Sequence, residues 1–257
     1  MSTPILSIRG VSRRFTSAHG DTLALEATDL EVAENDFITI LGPSGCGKST
    51  LLRIVAGLTR ATSGEVHVDT DDIGYVFQDH TLLPWRTVRR NVELPAELRR
   101  LPRAERRRRA TEAIALVGLE DFAGYLPRAL SGGMKMRVSL ARALTMSPSL
   151  FLFDEPFGAL DAITRERLGD ELQALYAARR FATVFVTHAV SEAVFLSSRV
   201  VVMASRGGRI VADIPVPFEF PRPPEARYAT ELAAISTEIQ AHLRKGSDVA
   251  RPDEVTS

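Results

Sequence analysis

Gly42-Pro43-Ser44-Gly45-Cys46-Gly47-Lys48-Ser49-Thr50 is the stretch whose residue types and spacing speak most directly of chemistry. Its first eight residues fit the pattern G-x-x-x-x-G-K-S/T in full. Glycines let the backbone wrap closely around phosphate oxygens. Amide N–H groups of the loop and of a following helix then point at the anion. Lys48 is placed to reach β- and γ-phosphates, and the Ser49 hydroxyl suits Mg²⁺, with waters in most other positions. The expected ligand is a magnesium nucleoside triphosphate, ATP above all. A second group follows at Leu150 to Glu155, where four apolar residues end in Asp154-Glu155. Asp154 is suited to the Mg²⁺ shell. Glu155 is suited to orient or deprotonate an attacking water, because phosphoryl transfer depends mainly on positioning and charge neutralisation.

These groups need rigid elements to hold them. Phe37-Ile38-Thr39-Ile40-Leu41 is an apolar run that stops at Gly42, which predicts a buried strand feeding the loop. Lys48 to Gly57 carries Leu51, Leu52, Ile54 and Val55 at helical spacing, with Gly57 as the C-terminal stop. Leu150 to Phe153 reads as a second buried strand, which suits the rule that ligands bind at the carboxyl ends of parallel strands. Ile5 to Phe15 and Thr22 to Val32 alternate as half-buried strands do. Glu65 to Val68 and Ile73 to Phe77 read as a short hairpin joined by the turn Asp69 to Asp72. Helices are expected over Val88–Arg99, Arg103–Val117 and Gly132–Met146. The alternation then resumes with a helix at Ala162–Arg179, a strand at Thr183–Thr187 and a short helix at Ser191–Leu196. A hairpin of Arg199–Ala204 and Arg209–Ile214 follows.

The predicted fold class is therefore α/β: a mainly parallel central sheet, an antiparallel N-terminal β subdomain and an inserted helical subdomain over residues 87–146. Residues 215–257 read as a Pro-rich link, a helix from Ala226 to about Lys245 and a polar tail. The 257 residues are expected to form a single domain. Acidic and basic residues number 32 each, so bulk charge gives no support for nucleic-acid binding. Cys46 is the one cysteine, which leaves no intramolecular disulfide and fits a reducing compartment. The N-terminus lacks the pattern of a signal peptide, and no window approaches the ~18 apolar residues of a membrane span. Work at a membrane would be done from one side, through a partner.

Leu130-Ser131-Gly132-Gly133-Met134 makes the reading specific. With Gly42–Thr50 before it and Leu150–Glu155 after it, the ordered set resembles the signature of ABC ATPases over nearly the whole chain. Gln78 matches the Q-loop glutamine, Ala159-Leu160-Asp161 the D-loop, His188 the switch histidine, and Phe15 the aromatic that stacks on adenine. The resemblance implies that Glu155, His188, Lys48 and Gln78 serve catalysis, and that Ser49, Gln78 and Asp154 surround Mg²⁺. Phe15, Gly42, Pro43, Ser44, Gly45, Cys46, Gly47, Lys48, Ser49, Thr50, Ser131, Gly132, Gly133 and Asp161 would contact ATP. In this family two ATPase domains close head to tail, so that Ser131-Gly132-Gly133 of one caps the γ-phosphate held by the other. One copy of each motif implies a second subunit, either another copy or a paralogue.

Met134, the segment Leu82-Leu83-Pro84-Trp85-Arg86-Thr87-Val88 and Phe220-Pro221-Arg222-Pro223 resemble importer ATPases for nitrate, sulfonate and taurine. This implies a peripheral subunit on the cytoplasmic face of the cell membrane, a permease partner and, indirectly, a solute-binding protein. The alternatives are a soluble ABC ATPase acting on nucleic acid or ribosomes, or the ATPase of an exporter. Trp85 reads either as a permease contact or as core packing. Arg99, Arg100, Arg103, Arg106, Arg107, Arg108 and Arg109 read as a solvated helical face or as a weak attraction for anionic lipid. Cys46, inside the loop, is expected to make the ATPase sensitive to thiol reagents, with ATP protecting. The C-terminal helix reads as a packing element or as a regulatory contact.

Overall fold

Three apolar runs become the buried middle of a mixed sheet. The computed structural model describes residues 4–17, 20–205 and 207–248, so most of the expected polar tail lies outside the described residues. In chain order the strands are β1 (Leu6–Ser17), β2 (Gly20–Val32), β3 (Phe37–Leu41), β4 (Ser63–Val68), β5 (Ile73–Val76), β6 (Leu150–Asp154), β7 (Ala182–Thr187), β8 (Arg199–Met203) and β9 (Ile210–Pro215). The helices are α1 (Lys48–Val55), α2 (Val88–Val92), α3 (Leu94–Leu98), α4 (Arg103–Leu116), α5 (Gly132–Leu144), α6 (Ala162–Arg179), α7 (Val190–Leu196) and α8 (Thr230–Asp248). One antiparallel sheet has the order β2-β1-β4, and the larger sheet has the order β5-β6-β7-β3-β8-β9. Neighbours in the larger sheet are parallel except β8 and β9.

Residues in β3, β6 and β7 are buried along the whole strand, as expected where both faces of a parallel sheet are covered. Alternation divides their side chains cleanly. Phe37, Phe151, Phe153 and Phe185 share one cluster with residues of α2, α4, α5 and α6. Ile38, Ile40, Leu150, Leu152, Val184 and Val186 face the other way and pack with α1 and the antiparallel sheet. Tyr176 of α6 meets Phe37 edge-on, with ring centroids 5.2 Å apart. α1 ends as its sequence predicts. Gly57 has a φ of 70°, and its N–H bonds to the Ile54 carbonyl while the Leu58 N–H bonds to that of Arg53, a Schellman motif.

Two expectations need correction. Residues 65–77 are not a hairpin. β4 joins β1 in the antiparallel sheet, whereas β5 lies parallel to β6 in the other. The turn between them is a crossing point, pinned where the Ser149 and Thr70 hydroxyls meet at 2.8 Å. Gly74 lets β5 approach, since a Cβ there would sit 2.8 Å from the Phe151 ring. The helix expected over Val88–Arg99 is two short ones. Pro95 has no N–H to offer the Asn91 carbonyl, so the helix restarts at Leu94.

The loop before α2 is clamped at both ends. Ser139 and Arg142 of α5 donate to the His80 carbonyl, at 2.7 and 3.2 Å. The Asn91 amide donates to the carbonyls of Leu83, Arg86 and Thr87, and its oxygen accepts from the Leu83 N–H. Trp85 stands out of this clamped loop, 73% exposed, which removes its core-packing reading. In the basic cluster, Arg99 pairs with Asp72, Arg108 with Glu105 and Glu112, and Arg109 with Glu105. That is the pattern of a solvated helical face.

Arg222 closes the far side of the fold. Its buried guanidinium donates to the carbonyls of Val194, Phe195, Ser197, Val216 and Phe218. It thereby satisfies the C-terminal end of α7 and ties the proline-rich link beneath it. Burial pulls its pKa down to about 10, so it stays charged at neutral pH. Arg222→Met leaves buried carbonyls without donors. It is expected to cost about 2–4 kcal/mol in urea unfolding, with Arg222→Lys in between.

Candidate functional site

Four adjacent strands end level at one edge of the larger sheet. In the register, Val76 lies beside Phe153, Asp154 beside Val186, and Leu41 beside Thr187. Just past these ends come Gln78, Glu155, the glycine loop and His188. This is the edge at which parallel sheets bind ligands. Asp154 shares the strand face of Leu150 and Leu152, which points toward α1. Its Oδ1 accepts a hydrogen bond of 2.6 Å from the Ser49 hydroxyl. Its Oδ2 accepts one of 3.3 Å from the Tyr75 phenol. Burial, with the Asp154 carboxylate alongside, pushes the Tyr75 pKa well up, so Tyr75 stays a donor. A hydroxyl and a carboxylate in contact are a donor set that fits Mg²⁺.

The loop itself is built for an anion. The first intrahelical bond of α1 runs from the Leu51 N–H to the Gly47 carbonyl, so the amides of Lys48, Ser49 and Thr50 lie ahead of it. Gly47 has a φ of 109°, and a Cβ there would come within 2.3 Å of the Ala24 carbonyl on β2. Only glycine suits both conditions. Lys48 is 4% exposed and donates to the carbonyls of Gly42 and Pro43, at 2.8 and 3.0 Å. Its Nζ also lies 3.7 Å from Glu155 Oε1.

Glu155 sits at a turn with a φ of 46°. A left-handed backbone at a non-glycine residue costs about 1–3 kcal/mol and marks a position held by its surroundings. Here the Glu155 N–H is held by the Val186 carbonyl. The turn brings its carboxylate back between Lys48 and His188, whose Nδ1 is 3.0 Å from Oε2. Lys48, Ser49, Asp154, Glu155 and His188 thus form one connected cluster. Such a cluster can bind a phosphate chain, hold a divalent cation and take a proton from water.

The other expected residues, those outside the glycine loop, make no hydrogen bond or ion pair to this cluster among the described residues. Gln78 is exposed and lies two residues beyond the end of β5 rather than at it. Phe15 is half-exposed on β1, with the Arg13 guanidinium 4.4 Å from its ring centroid. Ser131 caps α5 by accepting from the Met134 N–H, and Asp161 caps α6 by accepting from the Thr164 N–H. Those backbone bonds hold the Asp161 carboxyl below its usual range. Gly133 allows α5 and α6 to start close together, because a Cβ there would lie 2.8 Å from Thr164 Cγ2. Among the described residues no hydrogen bond or ion pair joins Ser131 or Asp161 to the glycine loop. Tyr75 carries no local signal of a role in the sequence. It is an alternating residue in a short strand, and only the pairing of β5 with β6 brings it to Asp154.

Comparison with known proteins agrees with this geometry. Residues 25–158 match the ABC transporter family. The aliphatic sulfonates import ATP-binding protein of Rhodopseudomonas palustris is 44% identical over 247 residues, 95% of this chain and 84% of that protein. This chain belongs to the ABC transporter ATP-binding family. The taurine import ATP-binding protein of Rhizobium johnstonii is 39% identical to this ABC ATPase over 258 residues, 95% of this chain and 98% of that protein. A dimeric bacterial ABC transporter cassette aligns with a TM-score of 0.74 at 33% identity, covering 83% of this chain and 100% of that one. A post-hydrolysis cassette bound to ADP and phosphate aligns equally broadly, with a TM-score of 0.73. The chain is an ATP-binding, ATP-hydrolysing enzyme of this family.

Cys46 does not behave as its position suggests. Its side chain is 1% exposed and packs into the core with Leu25 and Met203, so at this one position the loop offers only its backbone. Burial pushes its thiol pKa up, away from the reactive thiolate. Contrary to the expectation from its place in the loop, a thiol so buried resists thiol reagents in the folded protein. Labelling of native ABC ATPase by a maleimide is expected to be at least ~10-fold slower than in urea, with or without ATP, as followed by mass spectrometry.

Proposed function

We propose that this ABC ATPase energises an importer for a small solute, of the sulfonate, taurine and nitrate class, from the cytoplasmic face of the cell membrane. Residues 1–257 act as one ATPase domain, with 87–146 as the helical subdomain that carries Ser131–Gly133 and 215–257 as a C-terminal extension. The observation that carries the reading is the division of the site. Lys48, Ser49, Asp154, Glu155 and His188 are connected, while Ser131–Gly133 begins a separate helix without bonds to them. Two chains arranged head to tail complete each other. A second copy is the simplest partner, and a paralogue serves equally. The likeness to sulfonate and taurine import ATP-binding proteins supports import, with a permease and, indirectly, a solute-binding protein as partners.

The chemistry follows from the side chains. Amides of the glycine loop and Lys48 bind the phosphates, and Phe15 offers its ring to adenine. Ser49, Asp154 and Gln78 would hold Mg²⁺, which when bound would neutralise charge developing on the transferred phosphoryl group. Glu155 takes the proton of the attacking water, and His188 holds that carboxylate in place. Ser131, Gly132 and Gly133 of the second subunit, at the positive end of α5, cap the γ-phosphate, and Asp161 belongs to the same interface. Loss of that phosphate removes the bridge between the subunits, and the separation is passed to the permease. Trp85, held outward by the clamped loop, is the contact.

Glu155→Gln is expected to bind ATP, accumulate dimers on size exclusion and hydrolyse about 10²–10⁴-fold more slowly. Normal turnover would sink the assignment of Glu155. Trp85→Ala is expected to leave hydrolysis by the isolated subunit unchanged while less permease co-purifies from membranes. Hydrolysis stimulated by DNA or RNA, with no multi-span permease recovered, would overturn the importer reading.

A further inference from the structure

Leu160, in the loop that leads from Glu155 to α6, is tied to the switch histidine by a second route. Arg165 Nη2 donates to the Leu160 carbonyl at 3.0 Å, and its backbone N–H to that of Asp161 at 3.0 Å. Its Nε lies 3.3 Å from Glu192 Oε1. Glu192 Oε2 accepts a hydrogen bond of 2.6 Å from the Thr187 hydroxyl, which itself accepts from the Ala189 N–H. Thr187 precedes His188, whose Nδ1 returns to Glu155. Backbone bonds from Gly158 to Glu155 and from Leu160 to Phe157 close the other side. The result is a ring: Glu155, residues 156–160, Arg165, Glu192, Thr187, His188 and Glu155 again.

We propose that Arg165 and Glu192 are positioning residues that transmit the placement of the 159–161 loop to His188 and thereby to the Glu155 carboxylate. Two features support a role in positioning rather than in stability. Burial pushes the Glu192 pKa up, despite the Thr187 bond and the nearby Arg165. A carboxyl whose pKa is higher in the folded than in the unfolded chain makes its charge a net cost to folding above that pKa. The pair itself is only partly buried, and ion pairs open to solvent are in general weak sources of stability. The pair also has room to adjust. Arg165 Nε is buried without a well-aligned hydrogen bond, and a cavity of about 190 Å³ lies beside it, lined by Phe157, Ser191, Phe195 and Arg227 among others. A shift of the 159–161 loop would draw Arg165 onto Glu192 and alter the tether on Thr187 and His188.

The proposal rests on the reading that two subunits close over ATP with residues 159–161 at their interface. The test is a double-mutant cycle of Glu192→Gln, Arg165→Gln and the pair together. Each single variant is expected to lose about 10-fold in kcat, in line with a displaced catalytic group, and to keep its affinity for a fluorescent ATP analogue within about 2-fold. The double variant is expected to be no slower than the slower single one, since both break one ring. In the Glu155→Gln background, Glu192→Gln is expected to leave ATP-dependent dimers intact. Should Arg165→Gln fail to fold, Arg165→Lys, which keeps the charge without the two-partner reach, takes its place. Unchanged kcat, additive losses, or losses matched by lower ATP affinity and melting temperature would overturn the relay. Failure of Glu155→Gln alone to dimerise with ATP would overturn the two-subunit reading and the relay with it.

Discussion

The buried contact between Lys48 and Glu155 sets the terms for the rest of this site. An ammonium that is 4% exposed cannot stand in a protein interior on one carboxylate at 3.7 Å. It is held there by the carbonyls of Gly42 and Pro43 as well. Those carbonyls are in place only if the loop turns back on itself, and the loop turns only with glycine at Gly47, pressed against Ala24 of β2. Glu155 in turn reaches Lys48 only through a left-handed backbone at the end of β6. A single charge pair thus draws in two strands, one helix and the edge of the second sheet.

Level strand ends make that economy possible. Because β5, β6, β7 and β3 are parallel neighbours, their carboxyl ends deliver Gln78, Asp154-Glu155, His188 and the glycine loop to one edge. The division of the core stabilises this order. Phenylalanines fill one face against the helices, and β-branched and leucine side chains fill the other against α1. Asp154 inherits its direction from that alternation. It meets Ser49 because it lies two residues beyond Leu152 on the face that α1 covers.

Much of this was legible in local sequence. Leu150–Phe153 and Phe37–Leu41 are continuous apolar runs, and each ends in residues no core would choose, which betrays both the strand and the site. Ser131 and Asp161 are helix caps that any capping rule finds. What escaped the sequence depends on partners far along the chain. Residues 65–77 carry two strand signals joined by a polar turn, and local pattern cannot say whether the strands pair with each other or with β1 and β6. Cys46 lies in a loop that binds anions, yet its side chain belongs to the core. Tyr75 and Glu192 look like ordinary members of a strand and a helix until β6 and α6 are placed beside them.

In the proposed two-subunit arrangement one chain makes only half of a working site. Ser131 and Asp161 spend their side chains on the first turns of α5 and α6, and Gly133 lets those turns lie together. Two helix starts therefore present amides and positive dipole ends on one surface, with no hydrogen bond from Ser131 or Asp161 to the phosphate loop among the described residues. An anion held by another subunit is what such a surface suits. In that arrangement contact there would bear on residues 159–161, which sit between Glu155 and Arg165. The polar ring through Glu192, Thr187 and His188 then gives the interface two mechanical routes to the carboxylate, one through the backbone and one through side chains. On the proposed relay, a catalytic group approached from both sides would be kept out of place until the second subunit arrives, which would couple hydrolysis to closure instead of to binding alone.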